Sequence, residues 1–203
     1  MAFTISKDQI AAVKRICGGA STFCALSALV WQCACVARRL PPEAQACLSF
    51  STNIRRRLSP PLPDHYFGNA IISLYAAGAA RDIGSEAMES VAGRIRTAIR
   101  GVDYELVRSA IDYYELFKND SRPLRGLRLQ ETELRVVSWI GMPVYEADFG
   151  WGMPWRMSRA ESAPAGYVHM MNNGPAADSG IRVMASMEAE NMEEFQRLLR
   201  AKI

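Results

Sequence analysis

Histidine is scarce in this sequence: His65 and His169 are the only two among 203 residues. A structural zinc site needs four closely spaced ligands, and the five cysteines form no C-x-x-C pair. The formal charge of +3 is too small a surplus to indicate a nucleic-acid partner. The sequence therefore predicts neither a metal site nor a nucleic-acid-binding protein.

The short motifs of several enzyme classes are also absent. There is no G-x-G-x-x-G fingerprint, no Walker loop, no G-x-S-x-G elbow and no H-E-x-x-H pair. Asp148-Phe149-Gly150 spells the magnesium-binding triplet of protein kinases, but the Gly-rich loop, the V-A-I-K lysine and the H-R-D loop are missing. A kinase is therefore excluded.

The cysteines are odd in number, and no convincing signal peptide precedes them. This usage is typical of a reducing compartment, so we expect a cytoplasmic protein with buried, reduced thiols. The five are Cys17, Cys24, Cys33, Cys35 and Cys47.

One stretch, Ile16 to Ala37, contains no charged residue and is long enough to span a membrane. Its content favours another interpretation, because Gly18 and Gly19 interrupt it and Gln32 would place an amide in hydrocarbon. We expect a buried core helix that begins at a Ser21–Thr22 cap, and a membrane anchor remains the alternative.

Periodicity, capping residues and β-branched runs predict the element order αα-ββ-αα-β-ββ-α. The predicted helix caps are Ser6, Ser21, Asp103 and Asn191. The predicted helices are 6–17, 21–39, 83–99, 103–117 and 191–199. The predicted strands are 47–54, 66–74, 133–140, 166–171 and 181–187. This order indicates an α/β fold over 1–203, a single layered domain with a mixed sheet of about five strands flanked by helices.

The run Asp148-Phe149-Gly150-Trp151-Gly152 predicts a tight turn. Its glycines allow positive φ, and we expect Phe149 and Trp151 to anchor the turn in the core. Asp148 is suited to accept backbone N–H bonds or to pair with an arginine. On these residues alone, a structural turn is the favoured interpretation.

D-F-G-W-G is also the hallmark of the BAHD family, the plant acyl-CoA-dependent acyltransferases, and further blocks resemble that family. Residues 138–147 (SWIGMPVYEA) resemble its S-W-x-x-x-P-x-x-x-A block, and residues 55–63 (RRRLSPPLP), followed by 66–69 (YFGN), resemble its R-x-R-L-x-P-P-L-P…Y-F-G-N stretch. With 21–35 and 191–195, the resemblance covers nearly the whole chain. Within the family, the sequence resembles most strongly the hydroxycinnamoyl-CoA transferases that act on shikimate, quinate or amines.

The resemblance implies a chloramphenicol-acetyltransferase-like domain that forms the C-terminal half of such an enzyme. Family members have two such domains, with the active-site channel between them and a catalytic His in an H-x-x-x-D motif of the N-terminal domain. Neither His65 nor His169 is followed by Asp at that spacing. We therefore expect no catalytic residue in this chain and no activity from it alone, since the general base and half the cleft are missing.

On the donor side, the resemblance implies that Ser21, Thr22 and Arg55 face CoA. A helix N-terminus attracts phosphate, although a plain N-cap is an equal alternative for Ser21. Asn53-Ile54 stands before Arg55 where the family usually has Asp-Gly, which puts the role of Arg55 in question. Acyl-CoA is expected as a co-substrate, and no other cofactor is expected.

On the acceptor side, the resemblance implies that Arg125 binds an acceptor carboxylate and that Trp139 lines the acceptor pocket. A surface arginine and a buried strand tryptophan are the structural alternatives. Val137 stands where this group often has Thr, so a hydroxyl that could bond the reaction intermediate is missing.

We expect this half to serve an acyltransferase that moves a hydroxycinnamoyl-type group to a small hydroxyl or amine acceptor. The alternative is a non-enzymatic binding or interaction module derived from such an enzyme. Either way, an apolar inter-domain face is expected to be exposed and to favour self-association. No nucleic-acid or membrane partner is expected, and CoA binding by the chain alone is expected to be weak.

Overall fold

The computed structural model describes residues 1–117, 129–160, 163–176 and 180–203. Six strands in these ranges form one mixed sheet in the order β1-β6-β5-β4-β2-β3. They are β1 Ala2–Ile5, β2 Gln45–Asn53, β3 Ile71–Ala79, β4 Glu133–Trp139, β5 Tyr167–Asn172 and β6 Ile181–Ser186. The central strands β2, β4 and β5 run parallel to one another, and the outer pairings are antiparallel.

The helices of the same ranges are α1 Lys7–Ile16, α2 Thr22–Ala37, α3 Ala80–Ser85, α4 Met88–Arg100, α5 Tyr104–Phe117 and α6 Ala189–Ala201. The predicted caps of the first two are confirmed. Ser6 and Gln9 exchange the hydrogen bonds of a capping box. Ser21 Oγ accepts a bond from the Cys24 N–H at 3.2 Å. Asp103 likewise accepts from the Leu106 N–H at 2.8 Å at the start of α5.

Helix α2 lies at the centre of the helical layer and contacts α1, α3, α4, α6 and β4. Because it is apolar on all sides, it must be surrounded by protein. Gln32, one of its two buried polar side chains, donates to the carbonyls of Ile83 and Glu86 and accepts from Lys202. The predicted core helix is confirmed. In the described ranges, the model contains no helix of the length and apolarity needed to cross a membrane.

The two faces of the sheet differ. Leu48, Val136 and Val168 project toward the helices and belong to the core. The alternate residues Ser49, Arg135 and Tyr167 project to the opposite face, and we call this the helix-free face.

The prediction of about five strands was one short, because β1 was missed. This strand has only four residues, too few to show a period. Its partner β6 defines it, and the Met1 amino group adds a bond to the Ala185 carbonyl at 2.7 Å.

The second predicted strand was shifted, since β3 spans Ile71–Ala79 rather than 66–74. The alternation of buried and exposed residues continues through Ala76 and Ala77, and the strand ends with Gly78 and Ala79, residues that carry little hydrophobic signal. The other strands lie within two residues of their predicted bounds.

The predicted helix 83–99 is two helices, α3 and α4, separated at Glu86 and Ala87. Glu86 is extended, with ψ 164°. Its carbonyl accepts from Gln32 and its carboxylate binds Arg94 at 2.7 Å, so tertiary contacts hold this break.

Asn191 was also wrong as a cap. Helix α6 begins at Ala189 after Glu188, and that residue forms two hydrogen bonds with Arg38.

Candidate functional site

The carboxyl ends of parallel strands meet at one edge of a sheet, which is where α/β folds bind ligands. Arg55 follows the end of β2 by two residues, and Trp139 and Asn172 are the last residues of β4 and β5. A cavity of about 330 Å³ opens at this edge. Its lining residues include Gly141, Met142, Pro143, Tyr145, Asn172 and Pro175. The topology therefore brings predicted donor-side and acceptor-side residues to the same end of the sheet.

The start of α2 lies near that end of β2, because the Phe23 ring packs edge-on against Phe50, with centroids 5.4 Å apart. Ser21 is exposed and Thr22 is partly buried. The Ser21 hydroxyl is engaged as the N-cap acceptor, so the capping alternative describes what it does in this structure. The role of Ser21 and Thr22 toward CoA stays a prediction.

Arg55 is held by its neighbours. Its guanidinium donates to the Gly68 carbonyl at 2.6 Å and to Asn53 Oδ1 at 3.2 Å, and it lies 5.8 Å from the Tyr66 ring centroid. Asn53 Oδ1 also accepts from the Arg55 backbone N–H at 3.0 Å. The asparagine thus orients the arginine here, although its ligand role remains a prediction.

Trp139 is partly buried on the helix-free face and packs edge-on against the His169 ring, with centroids 6.2 Å apart. His169 in turn stacks on Tyr167 at 6.3 Å with an interplanar angle of 12°. Trp139 is thus a strand residue, as the structural alternative had it, but it is only partly buried. The proposed acceptor contact of Trp139 is a separate question and stays a prediction.

His169 Nε2 lies 2.6 Å from Arg159 Nη1. A guanidinium can only donate, so Nε2 accepts and the imidazole is neutral with its proton on Nδ1. Burial and the Arg159 charge lower the pKa of His169 to about 4. Sequence reasoning missed this pair, and its only signal was a histidine in an otherwise apolar strand.

A second polar group on the helix-free face was also missed. The Ser49 hydroxyl donates to Glu133 Oε1 at 2.9 Å and accepts from Arg135 Nε at 3.1 Å. Arg135 lies 5.7 Å from the Tyr167 ring centroid. Alternation along β2 and β4 was the signal that could have placed Ser49 and Arg135 on one face.

The turn at 148–152 is confirmed in part. Asp148 Oδ1 accepts from the backbone N–H groups of Gly150 and Gly152 at 2.8 and 3.0 Å, and both glycines have positive φ. The predicted core anchoring was wrong, because Phe149 is 80% and Trp151 is 92% exposed. Backbone bonds to Asp148 hold the turn, whereas its aromatic rings lie outside the core of this chain.

Arg125, the predicted acceptor-binding arginine, lies outside the described residues, so its role stays a prediction.

The five cysteine thiols are free, as expected. Burial raises the pKa of Cys33 and of Cys35 to about 12, which makes both poor nucleophiles. The described residues contain no group of three or more His, Cys, Asp or Glu side chains placed to hold a metal ion.

Comparison with known proteins identifies the family that the sequence matches. A family model described as "Transferase family" matches residues 6–201. The chain is 35% identical over 201 residues to a hydroxycinnamoyltransferase of Narcissus pseudonarcissus, which covers 97% of this chain and 46% of the relative. It is 37% identical over 206 residues to putrescine hydroxycinnamoyltransferase 1 of Oryza sativa subsp. japonica, covering 95% and 46%.

Among solved structures, F. sporotrichioides TRI101 in complex with coenzyme A and T-2 matches with a TM-score of 0.82 at 20% identity. The match covers 97% of this chain and 48% of that one. At this identity it supports the predicted chloramphenicol-acetyltransferase-like fold and nothing further. The chain spans about half the length of the curated relatives it matches.

Proposed function

Because the chain belongs to the Transferase family, the BAHD acyltransferases, we propose that it is the C-terminal half of a hydroxycinnamoyl-type acyltransferase. The complete enzyme would move the acyl group from CoA to a hydroxyl or amine acceptor. The observation that carries this proposal is the match to hydroxycinnamoyltransferases over 97% of this chain but only 46% of the relative. The remaining part would come from an N-terminal half that carries the H-x-x-x-D motif.

In this proposal the carboxyl edge of the sheet faces the reaction channel. On the donor side, the N–H groups at the start of α2 and the Arg55 guanidinium attract the CoA phosphates. Ser21 and Thr22 lie at that helix start. The bonds from Arg55 to Gly68 and Asn53 fix its orientation, which lowers the entropy cost of binding.

On the acceptor side, Trp139 offers a flat apolar wall at the end of β4. Arg125 would pair with an acceptor carboxylate through a two-pronged guanidinium contact. The acceptor oxygen or nitrogen attacks the thioester carbonyl, a base takes its proton, and the CoA thiolate leaves.

No histidine of this chain is suited to be that base. His169 uses its Nε2 lone pair toward Arg159 and has a pKa of about 4, so it attracts a proton weakly near pH 7. His65 is exposed and lacks the Asp of the motif. Removing a general base typically costs about 10²–10⁴ in rate, and we expect the chain alone to be inactive.

A second candidate function, an interaction module, is favoured by one observation. Four large side chains at alternate positions are 62–92% exposed. They are Phe149, Trp151, Met153 and Trp155. We propose that the chain acts in the cytoplasm and that this surface covers a partner half or a second copy.

The assay uses p-coumaroyl-CoA with shikimate, quinate or an amine, and follows free CoA together with ester or amide product. We expect no product from the chain alone, and product when a separately expressed N-terminal half of a family member is added. In the complemented mixture, Trp139→Ala and Arg125→Ala should lower turnover.

Product from the chain alone, lost in Trp139→Ala, would refute the claim that the base is missing. If complementation fails while size-exclusion chromatography shows that the two halves associate, the interaction module is the better function. A clean monomer over a wide concentration range, with no binding of the other half, would contradict both.

A further inference from the structure

A cleft of about 350 Å³ lies on the helix-free face, away from the carboxyl edge of the sheet. It opens between β1, β6 and the segment that leads into β5. Its walls are mostly apolar, and the polar groups are the side chains of Arg159, His169 and Ser186 and the Met1 amino group. The other lining residues are Ala2, Ala163, Met184 and Ala185. A cavity of this size with few polar groups is typical of a small-molecule site.

The guanidinium of Arg159 is the charged side chain that lines this cleft. Within residues 1–117, 129–160, 163–176 and 180–203, neither Arg159 nor the neighbouring Arg182 forms an ion pair with a carboxylate. Arg182 is 3% exposed and spends its N–H groups on Asn173 and on the Met157 carbonyl. Two cationic groups line the cleft, the Arg159 guanidinium and the Met1 amino group, and the amino group is already bonded to the Ala185 carbonyl at 2.7 Å.

A hydrogen bond to His169 orients the Arg159 side chain. One of its five N–H groups is bonded to His169, and the described residues make no other hydrogen bond with its guanidinium. His169 is fixed by the stack on Tyr167 and the edge of Trp139. The bond to His169 therefore anchors the guanidinium beside this aromatic row, and a guanidinium can bind a planar anion through two N–H groups.

We propose that this cleft binds a small organic carboxylate, with Arg159 holding the carboxylate group and with Met184 and its strand neighbour Ala2 contacting the carbon skeleton. His169 is the positioning residue for Arg159. A planar monoanion with an apolar body fits one guanidinium among apolar walls better than inorganic phosphate, which needs donors on several sides. The proposal concerns binding by this chain and does not rest on the acyltransferase function.

The test is isothermal titration of the purified 203-residue chain with benzoate, benzamide and inorganic phosphate at constant ionic strength. We expect benzoate to bind about tenfold more tightly than either of the other two, since benzamide has the same ring without the charge. Equal binding of benzoate and benzamide, or no benzoate binding at millimolar concentrations, would overturn the proposal. Preference for phosphate would do so as well.

Variants localise the site. Arg159→Gln should weaken benzoate binding about tenfold, and Arg159→Lys, which keeps the charge but loses the planar fork, should fall between it and the parent. Arg156→Gln removes an exposed arginine of the same segment and should change affinity by less than about twofold. His169→Phe keeps the aromatic row and should weaken binding, because Arg159 loses the group that orients it. A thermal melt of each variant checks folding, and benzoate affinity unchanged in a folded Arg159→Gln would refute the site.

Discussion

Helix α2 and the segment 147–160 both carry large apolar side chains, but these side chains lie in opposite environments. Thirteen of the sixteen residues of α2 are buried, including a tryptophan, Trp31. In the segment, Phe149, Trp151 and Trp155 are each at least 80% exposed. The difference shows that apolar content alone does not bury a residue. A surface that can cover it must be present in the same chain.

The largest expected contrast concerns thiol reactivity. Cys33 and Cys35 of α2 have pKa values raised to about 12 by burial. Their thiolate fraction, the reactive form, is therefore lowered about a thousandfold in the folded state. We expect both to resist Ellman's reagent at pH 8 until the chain is unfolded. Site-resolved mass spectrometry, with the partly buried Cys47 as internal comparison, gives the rates, and rapid native labelling of Cys33 would contradict the buried position of α2.

The next contrast concerns the free energy of unfolding. Leu29→Ala on α2 removes a fully buried side chain and should lower the free energy of unfolding by about 3–4 kcal/mol. Trp151→Ala removes a larger side chain from the exposed turn and should change it by less than about 0.5 kcal/mol. Urea denaturation measures both. If the two substitutions cost the same, the exposed segment is packed in solution.

We expect the loss of one partner of a buried ion pair to destabilise the fold more than the loss of one partner of an exposed pair does. The Arg38 side chain is 4% exposed, binds both oxygens of Glu188 and donates to two carbonyls, those of Glu131 and Glu133. Arg38→Met should destabilise the fold by about 3 kcal/mol, because it leaves these acceptors unpaired.

The matched control for that variant is Arg197→Met on α6. Arg197 pairs with Glu194 at the surface, where solvent screens the charges, so removing it should cost far less stability than removing Arg38. Equal losses in the two variants, measured by the same urea titration, would show that burial does not set the strength of these pairs.

The smallest effect concerns pH. The pKa of His169 is lowered to about 4 in the folded chain, against an ordinary value of 6.5. Between these values the unfolded chain binds a proton that the folded chain does not, so stability falls as pH drops from 6.5 to 4. The loss from this group should reach up to about 2 kcal/mol at pH 5.

His169→Phe should therefore reduce the difference in unfolding free energy between pH 7.5 and pH 5. His65→Gln, at an exposed position, serves as the control and should leave that difference unchanged. An unaltered pH dependence in His169→Phe would mean that His169 is solvated in the folded chain.

Local patterns in the sequence determined most of the elements. Caps at Ser6, Ser21 and Asp103 fixed three helix starts, since a side chain that bonds its own helix needs no distant partner. The uncharged stretch around α2 indicated a core helix, and the motifs around Asp148 indicated the family that the comparisons confirm.

Only the tertiary structure decided what depends on distant partners. Strand β1 exists because β6 pairs with it, and the break between α3 and α4 is held by Gln32 and Arg94. The contact of His169 with Arg159 and Trp139 required three separate segments to meet on one face. Phe149 and Trp151 show the limit most clearly. The sequence shows that both side chains are apolar. Whether they are buried depends on a second surface, and the described part of this chain places no such surface against them.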